Sequence, residues 1–185
     1  SKNVLNKKIK YTKDYSMDLG TPPLFSQINL KRKAHFRNSK QVMHIKNCYH
    51  LLIWRGKLLF RFNDGKPFPY LINQRTKFIK KLTTFIFLGE FENKNVFLWD
   101  MSDSRDVLGN TGQIGSFNDA DRNYHPDLPK GTYFCDLRNL LPVLNSKYAN
   151  LCATAKAIYE WHKRVNFCQS CGGKLSSEKA GWEKT

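Results

Sequence analysis

Apolar positions follow two different rhythms along the chain, and the change comes near residue 130. Between residues 48 and 101 they come in short dense runs rich in aromatic and branched side chains. Residues 48–54 and 57–62, separated by Arg55-Gly56, read as a β-hairpin. Asn63-Asp64-Gly65-Lys66 closes the second strand, and Pro67 and Pro69 keep the following segment out of any central strand. Residues 82–91 and 96–101 flank the polar turn Glu92-Asn93-Lys94-Asn95 and predict a second hairpin. Beyond residue 130 the period lengthens. Residues 136–141 predict a short helical turn ended by Pro142. From Ser146, read as the cap, Tyr148, Leu151, Cys152, Ala155, Ile158, Tyr159 and His162 recur at i, i+3, i+4 and i+7, which predicts a helix with one apolar face against the sheet. Such a stripe is core rather than a ligand site. Strands first and helices after give an α+β domain: antiparallel β-hairpins packed with a C-terminal helix.

The remaining segments are weaker in pattern. Residues 1–23 are polar and basic, close on Gly20-Thr21-Pro22-Pro23 and read as a flexible arm. A short helix capped by Asn38 or Ser39 would carry Val42, Met43 and Ile45 inward. Residues 102–130 turn to Gly, Asn, Asp and Ser and read as a long surface loop. Its Gly109-x-x-Gly112-x-x-Gly115 lacks the strand before and the helix after that a phosphate cradle needs. His125, with Asp121 and Asp127, is better read as an exposed loop histidine than as a metal ligand.

Charge narrows the partners. Thirty-one Lys and Arg against fifteen Asp and Glu leave +16, which favours phosphates or acidic surfaces. Residues 1–40 hold ten of those cations against only Asp14 and Asp18, a net of +8, so the arm is a candidate polyanion contact with Tyr11, Tyr15 and Phe36 beside it. An equally good reading is a solvated basic face. No apolar run approaches the roughly 20 residues that span a bilayer, so no membrane partner is expected. Five cysteines is an odd number, and Cys48, Cys135 and Cys152 stand singly in apolar segments, as buried small hydrophobes do. That argues against a disulfide framework and for a reducing, intracellular compartment. Peroxisome, mitochondrion and cytosol all fit.

The remaining two cysteines carry chemistry. Cys168-x-x-Cys171-Gly172-Gly173 leaves the helix as a knuckle in which both thiolates can face one ion while backbone N–H groups approach the sulfurs. A redox pair would instead open a helix in a βαβ unit. Zinc is therefore the favoured reading, with redox work and inert thiols as the alternatives, and Cys168 and Cys171 are the candidate metal ligands. A closed zinc ribbon takes four ligands, normally from a second such pair about 15–20 residues on. The 185 residues hold one pair, so 165–185 is expected to be the first half of a zinc ribbon, following a domain at 24–164 and the arm at 1–23.

The segment 157–164, then Phe167-Cys168-x-x-Cys171-Gly172, Lys174 and Ala180-Gly181-Trp182-Glu183-Lys184, resembles the helix and first zinc knuckle of the NADH pyrophosphatase branch of the Nudix hydrolases. Upstream, Leu30-x-Arg32-x-Ala34-His35-Phe36-Arg37, Trp54-Arg55-Gly56-Lys57-Leu58, Phe87-Leu88-Gly89, Phe97-Leu98-Trp99-Asp100-Met101-Ser102 and Asp136-Leu137-Arg138 are similar, in order, to that family's N-terminal markers. The resemblance covers about residues 24–185. It implies a β-rich N-terminal domain, a four-cysteine zinc ribbon and a C-terminal Nudix domain, assembled as a homodimer. The parent enzyme would cleave NAD(H) to nicotinamide mononucleotide and AMP, and some members act on NAD-capped RNA. Its catalytic box, G-x₅-E-x₇-R-E-U-x-E-E-x-G-U, holds Mg²⁺ or Mn²⁺ against the pyrophosphate. No such stretch occurs in these 185 residues. The expectation is an N-terminal scaffold and dimerisation portion, with a self-standing RNA- or polyanion-binding module as the alternative. The isolated knuckle should bind zinc weakly, and residues 172–185 should order only once four sulfurs are gathered.

Overall fold

The computed structural model describes residue 25 and residues 29–38, 42–109 and 122–185. The arm at 1–23, the Ser39 cap, the Met43 side chain, Gly112, Gly115 and Asp121 lie outside the described residues. The elements run β1 (Leu30–Lys31), β2 (Cys48–Trp54), β3 (Lys57–Asn63), β4 (Lys66–Pro69), α1 (Lys77–Lys80), β5 (Phe85–Phe91) and β6 (Lys94–Asp100). They continue with β7 (Thr132–Cys135), α2 (Leu137–Leu140), α3 (Ser146–Arg164), β8 (Ser177–Glu178) and β9 (Glu183–Lys184). The α+β class holds.

Both expected hairpins form, each closed by two residues at positive φ: Arg55 and Gly56 at 46° and 83°, Glu92 and Asn93 at 51° and 61°. That twist matches the strands it joins. The second turn is thus shorter than the expected Glu92–Asn95 stretch, and Lys94 and Asn95 already belong to β6. The two hairpins then meet edge to edge through β2 and β6, which run parallel with Leu51 opposite Leu98. The sheet is therefore mixed, in the order β1-β5-β6-β2-β3-β4, with β7 also on β3. Periodicity along one strand cannot say which edges of two hairpins join, so an all-antiparallel sheet was the simpler expectation. In β5 the register slips between Phe87 and Gly89, where a Cβ on Gly89 would lie 2.3 Å from the Lys31 carbonyl oxygen. Glycine there lets β1 approach.

Both faces of this sheet are covered, which is why its strands read as dense runs rather than alternation. On one face Leu51, Ile53, Leu58, Phe60, Leu88 and Leu98 pack against Leu137 and Leu140 of α2 and Leu151, Cys152 and Ala155 of α3. On the other, Leu52, Trp54, Leu59, Phe87, Phe97 and Trp99 pack beneath Ile79 of α1, Val42 and Val107. The helix expected after Asn38 is instead a pair of short 3₁₀ turns, Ala34–Asn38 and Val42–His44; Val42 is buried, and Ile45, just after the second turn, is partly so. The far end of the 102–130 loop is mostly exposed, as expected, but Asn123 and His125 turn inward and are buried. Asn123 bridges to Phe134 in both backbone directions and its Oδ1 accepts from the buried Lys57 ammonium at 2.8 Å.

Candidate functional site

α3 is capped one residue earlier than expected, by Asn145, whose Oδ1 accepts from the Lys147 N–H at 2.9 Å. Ala149, Leu151, Cys152, Ala155 and Tyr159 are buried along its inner face. Its polar edge is bolted to the sheet at two places. The Lys156 ammonium donates to the Gly56 carbonyl at 2.6 Å, in the β2–β3 turn. At the end of β6, Lys163 pairs with Asp100 at 2.9 Å, and just past it the Tyr159 hydroxyl meets Ser102 Oγ at 2.9 Å. The direction of the helix exit is fixed by these contacts.

The knuckle hangs on that exit. Cys168 N–H donates to the Gly173 carbonyl at 2.8 Å and Gly172 N–H to the Cys168 carbonyl at 2.9 Å, so the chain doubles back within six residues. Backbone N–H groups of Cys171 and Ser170, together with the Cys171 thiol, lower the Cys168 pKa below its ordinary value. Amide N–H groups aimed at a sulfur favour its thiolate, the form that ligates metals. Cys171 is exposed and Cys168 half-buried. Two adjacent sulfurs with one favoured as thiolate fit half of a four-sulfur zinc site. Among the described residues no group of three or more His, Cys, Asp or Glu converges.

The tail that follows makes contacts with the body that do not involve the sulfurs. Its main anchor is Trp182, whose indole N–H donates to the Phe87 carbonyl at 2.6 Å while the Arg37 guanidinium lies 3.7 Å above the ring. Gly181, at φ 93°, passes so close to β5 that a Cβ would sit 2.7 Å from Ile86 Cγ1, and its carbonyl meets His162 Nε2 at 2.6 Å. Lys184 donates to the His162 carbonyl at 2.9 Å and to that of Val165, covering carbonyls that the end of α3 leaves unpaired. A cation there also suits the helix dipole.

Other sequence expectations sort clearly. Cys48, Cys135 and Cys152 are buried, and burial pushes the Cys152 thiol far above its ordinary range. His125 is not an exposed loop residue: it is 4% exposed, its Nδ1 accepts from the Asp127 N–H, and its ring meets Phe78 edge-on at 4.8 Å. Gly109 allows the chain to pass Arg122, whose carbonyl a Cβ would approach to 2.8 Å. Sequence reasoning passed over Lys184 as a cap and His162 as a tether, having placed His162 in the helix core. It also passed over His50, whose only signal was a lone titratable residue in an apolar strand.

Comparison with known proteins places this architecture. A family model described as the NADH pyrophosphatase-like rudimentary NUDIX domain matches residues 48–161, from the first residue of β2 to the last turn of α3. The chain belongs to this family. A search of curated proteins finds no match. The NUDIX-like match ends within α3, so the helix is shared between the family domain and the knuckle that follows it, whereas Cys168 and Cys171 lie beyond the matched residues.

Proposed function

We propose that this NUDIX-like domain is the non-catalytic scaffold of an NAD(H) pyrophosphatase, with Cys168 and Cys171 supplying half of a structural zinc site and a second copy of the chain as its partner. The observation that carries the reading is the continuity of α3. Most of its length lies in the matched domain, and its last turn, tied to the sheet by Lys163 and Tyr159, points the knuckle outward. A rigid helix delivering a two-sulfur knuckle is suited to assembly. Pyrophosphate hydrolysis asks for a carboxylate cluster that holds a divalent metal. These 185 residues carry no Nudix box, and no such cluster converges among the described residues, which supports a scaffold role.

Cys168 and Cys171 would hold zinc as thiolates, and the ion would add rigidity rather than chemistry. Two chains, each giving two sulfurs, would complete the coordination. The test is zinc stoichiometry and native mass on the purified chain, alongside NADH turnover with Mg²⁺ or Mn²⁺. Half an equivalent of zinc per chain in a dimer, with no turnover, is the expected result. Turnover well above buffer that survives further purification would overturn the scaffold reading, and tight binding of one zinc by a monomer would overturn the shared site.

A second reading has its own observation. A cleft lined by Arg55, Lys57, Arg138, Lys156 and Arg164 against only Asp136 and Glu160 gathers part of the chain's +16 excess in one place. If the chain binds RNA or another polyanion, affinity should fall steeply as salt rises, because neutralised phosphates release counterions. No binding at moderate salt removes this reading.

A further inference from the structure

On the face of the sheet away from α3, a cleft of about 250 Å³ opens beside the β2–β6 seam. His50, Phe97 and Trp99 form its floor, and Lys46, Asn47 and Arg75 stand around its mouth. His50 is 5% exposed, and in an otherwise apolar strand a buried imidazole needs partners. One side is satisfied: the Trp99 indole N–H donates to His50 Nδ1 at 3.0 Å. Accepting there leaves the neutral ring with its proton on Nε2. Burial first, and the Arg75 charge second, hold the His50 pKa down at about 4, so the ring stays neutral near pH 7. Nε2–H has no hydrogen-bond partner among the described residues and is not enclosed, since the ring lines the cleft.

The rest of the lining has one chemical character. Arg75 stacks over Trp99, its guanidinium 5.1 Å from the ring centroid, and has no carboxylate partner among the described residues. Asn73 Oδ1 is occupied by the Lys94 ammonium at 3.0 Å, which leaves its N–H donors. Among the described residues no acidic side chain lines the cleft. The rest of the wall is aromatic: His50 and Phe97 stack at 25° with centroids 6.1 Å apart, and Trp99 is tilted 39° from Phe97. A volume of about 250 Å³ is below the roughly 300–1,000 Å³ of sites for larger ligands.

We propose that this cleft is a binding site for a compact organic anion, a flat ring bearing a carboxylate or phosphate, with the ring against Phe97 and Trp99 and the oxyanion held by His50 Nε2–H and Arg75. Nothing in the scaffold reading requires it, and it stands whether or not the knuckle binds zinc. The experiment is an NMR titration of the full 185-residue chain with benzoate, phenyl phosphate, inorganic phosphate and benzylamine, followed at the Trp99 indole N–H. That proton bonds to the far side of the same imidazole, so it reports an acceptor arriving at Nε2. Benzoate or phenyl phosphate should shift it saturably, the better of the two naming the head group. Benzylamine should leave it unmoved, and inorganic phosphate should bind at least tenfold more weakly than the ringed anion. Arg75→Gln, at an exposed position, should weaken binding at least tenfold without unfolding the chain, and His50→Gln should remove the indole response. The proposal fails if neither ringed anion shifts the resonance at 10 mM, if benzylamine binds as well as they do, if inorganic phosphate equals phenyl phosphate, or if Arg75→Gln binds with unchanged affinity.

Discussion

The sheet with its two covered faces and the tail after α3 are held in place by opposite means. In the sheet, Leu51, Phe60 and Leu88 have no exposed surface and share their burial with the rest of one continuous core, so no single contact defines their position. In the tail, only Gly181 is buried, and four main-chain oxygens do the anchoring: Phe87 for Trp182, Gly181 for His162, and His162 and Val165 for Lys184. The first arrangement averages over many weak contacts. The second rests on a few directional ones, each of which can be lost alone. Substitutions in the sheet should therefore be felt globally, and substitutions in the tail locally.

The largest effect should come from opening the sheet core. Phe60, between Pro69 of β4 and Tyr133 of β7 in the core shared with α3, has 0% exposure, and Phe60→Ala leaves a cavity that α3, bolted at Gly56 and Asp100, cannot collapse to fill. A loss of about 3–5 kcal/mol is expected by chemical denaturation, with an unchanged slope against denaturant. A loss below about 1 kcal/mol would show that the helix moves freely over the sheet.

Acid separates the regions next, because each contacts one histidine whose protonation is disfavoured, the buried His50 in the sheet and the half-buried His162 of α3 against the tail. For His50 the folded value is about 4 against 6.5 ordinarily. Above pH 6.5 neither state is protonated and stability is complete. As pH falls below 6.5 the unfolded chain takes a proton that the folded one refuses, so stability declines until about pH 4. The loss should reach roughly 2–3 kcal/mol. His50→Gln should flatten this window in a global unfolding assay. His162→Gln should alter the acid response of amide exchange in 176–185 while leaving the global one in place. Equal effects of both variants on global unfolding would erase the distinction.

How far these differences could be read in advance depends on the range of the interactions. The hairpins, α3 and the cysteine knuckle were legible because each is set by residues within a few positions: Arg55-Gly56 at positive φ, the apolar spacing from Tyr148 to Tyr159, and two cysteines with glycines after them. The parallel β2–β6 seam, the burial of His125 and the docking of Trp182 on Phe87 were not, since each joins positions far apart in the chain. A His in a strand says nothing of the Trp that will face it from another strand 49 residues on.

Trp182→Ala comes third. It removes one hydrogen bond, a cation–π contact with Arg37 and part of an indole's burial, which together amount to about 1–2 kcal/mol. The effect should appear as faster amide exchange across residues 176–185, with the sheet amides unaltered. Sheet amides that speed up equally would mean that the tail belongs to the same cooperative unit as the core.

The smallest effect should be that of Cys168→Ser with Cys171→Ser in the presence of a chelator. Neither sulfur supports the body: Cys171 is exposed, Cys168 half-buried, and the tail is anchored by Trp182, His162 and Lys184 instead. The unfolding midpoint should be the same as that of the unsubstituted chain within error. Zinc should then separate the two proteins, and the form of that separation carries the information. Two sulfurs cannot close a tetrahedral site, so a lone chain should gain little. Two chains sharing an ion would gain stability that rises with protein concentration, as any equilibrium between separate and associated chains must. A zinc-dependent rise in midpoint that is steep in protein concentration and absent from the double serine variant is therefore the expected outcome. A rise of the same size at every protein concentration would place all the ligands within one chain, and would require donors other than Cys168 and Cys171 that the folded knuckle does not bring together.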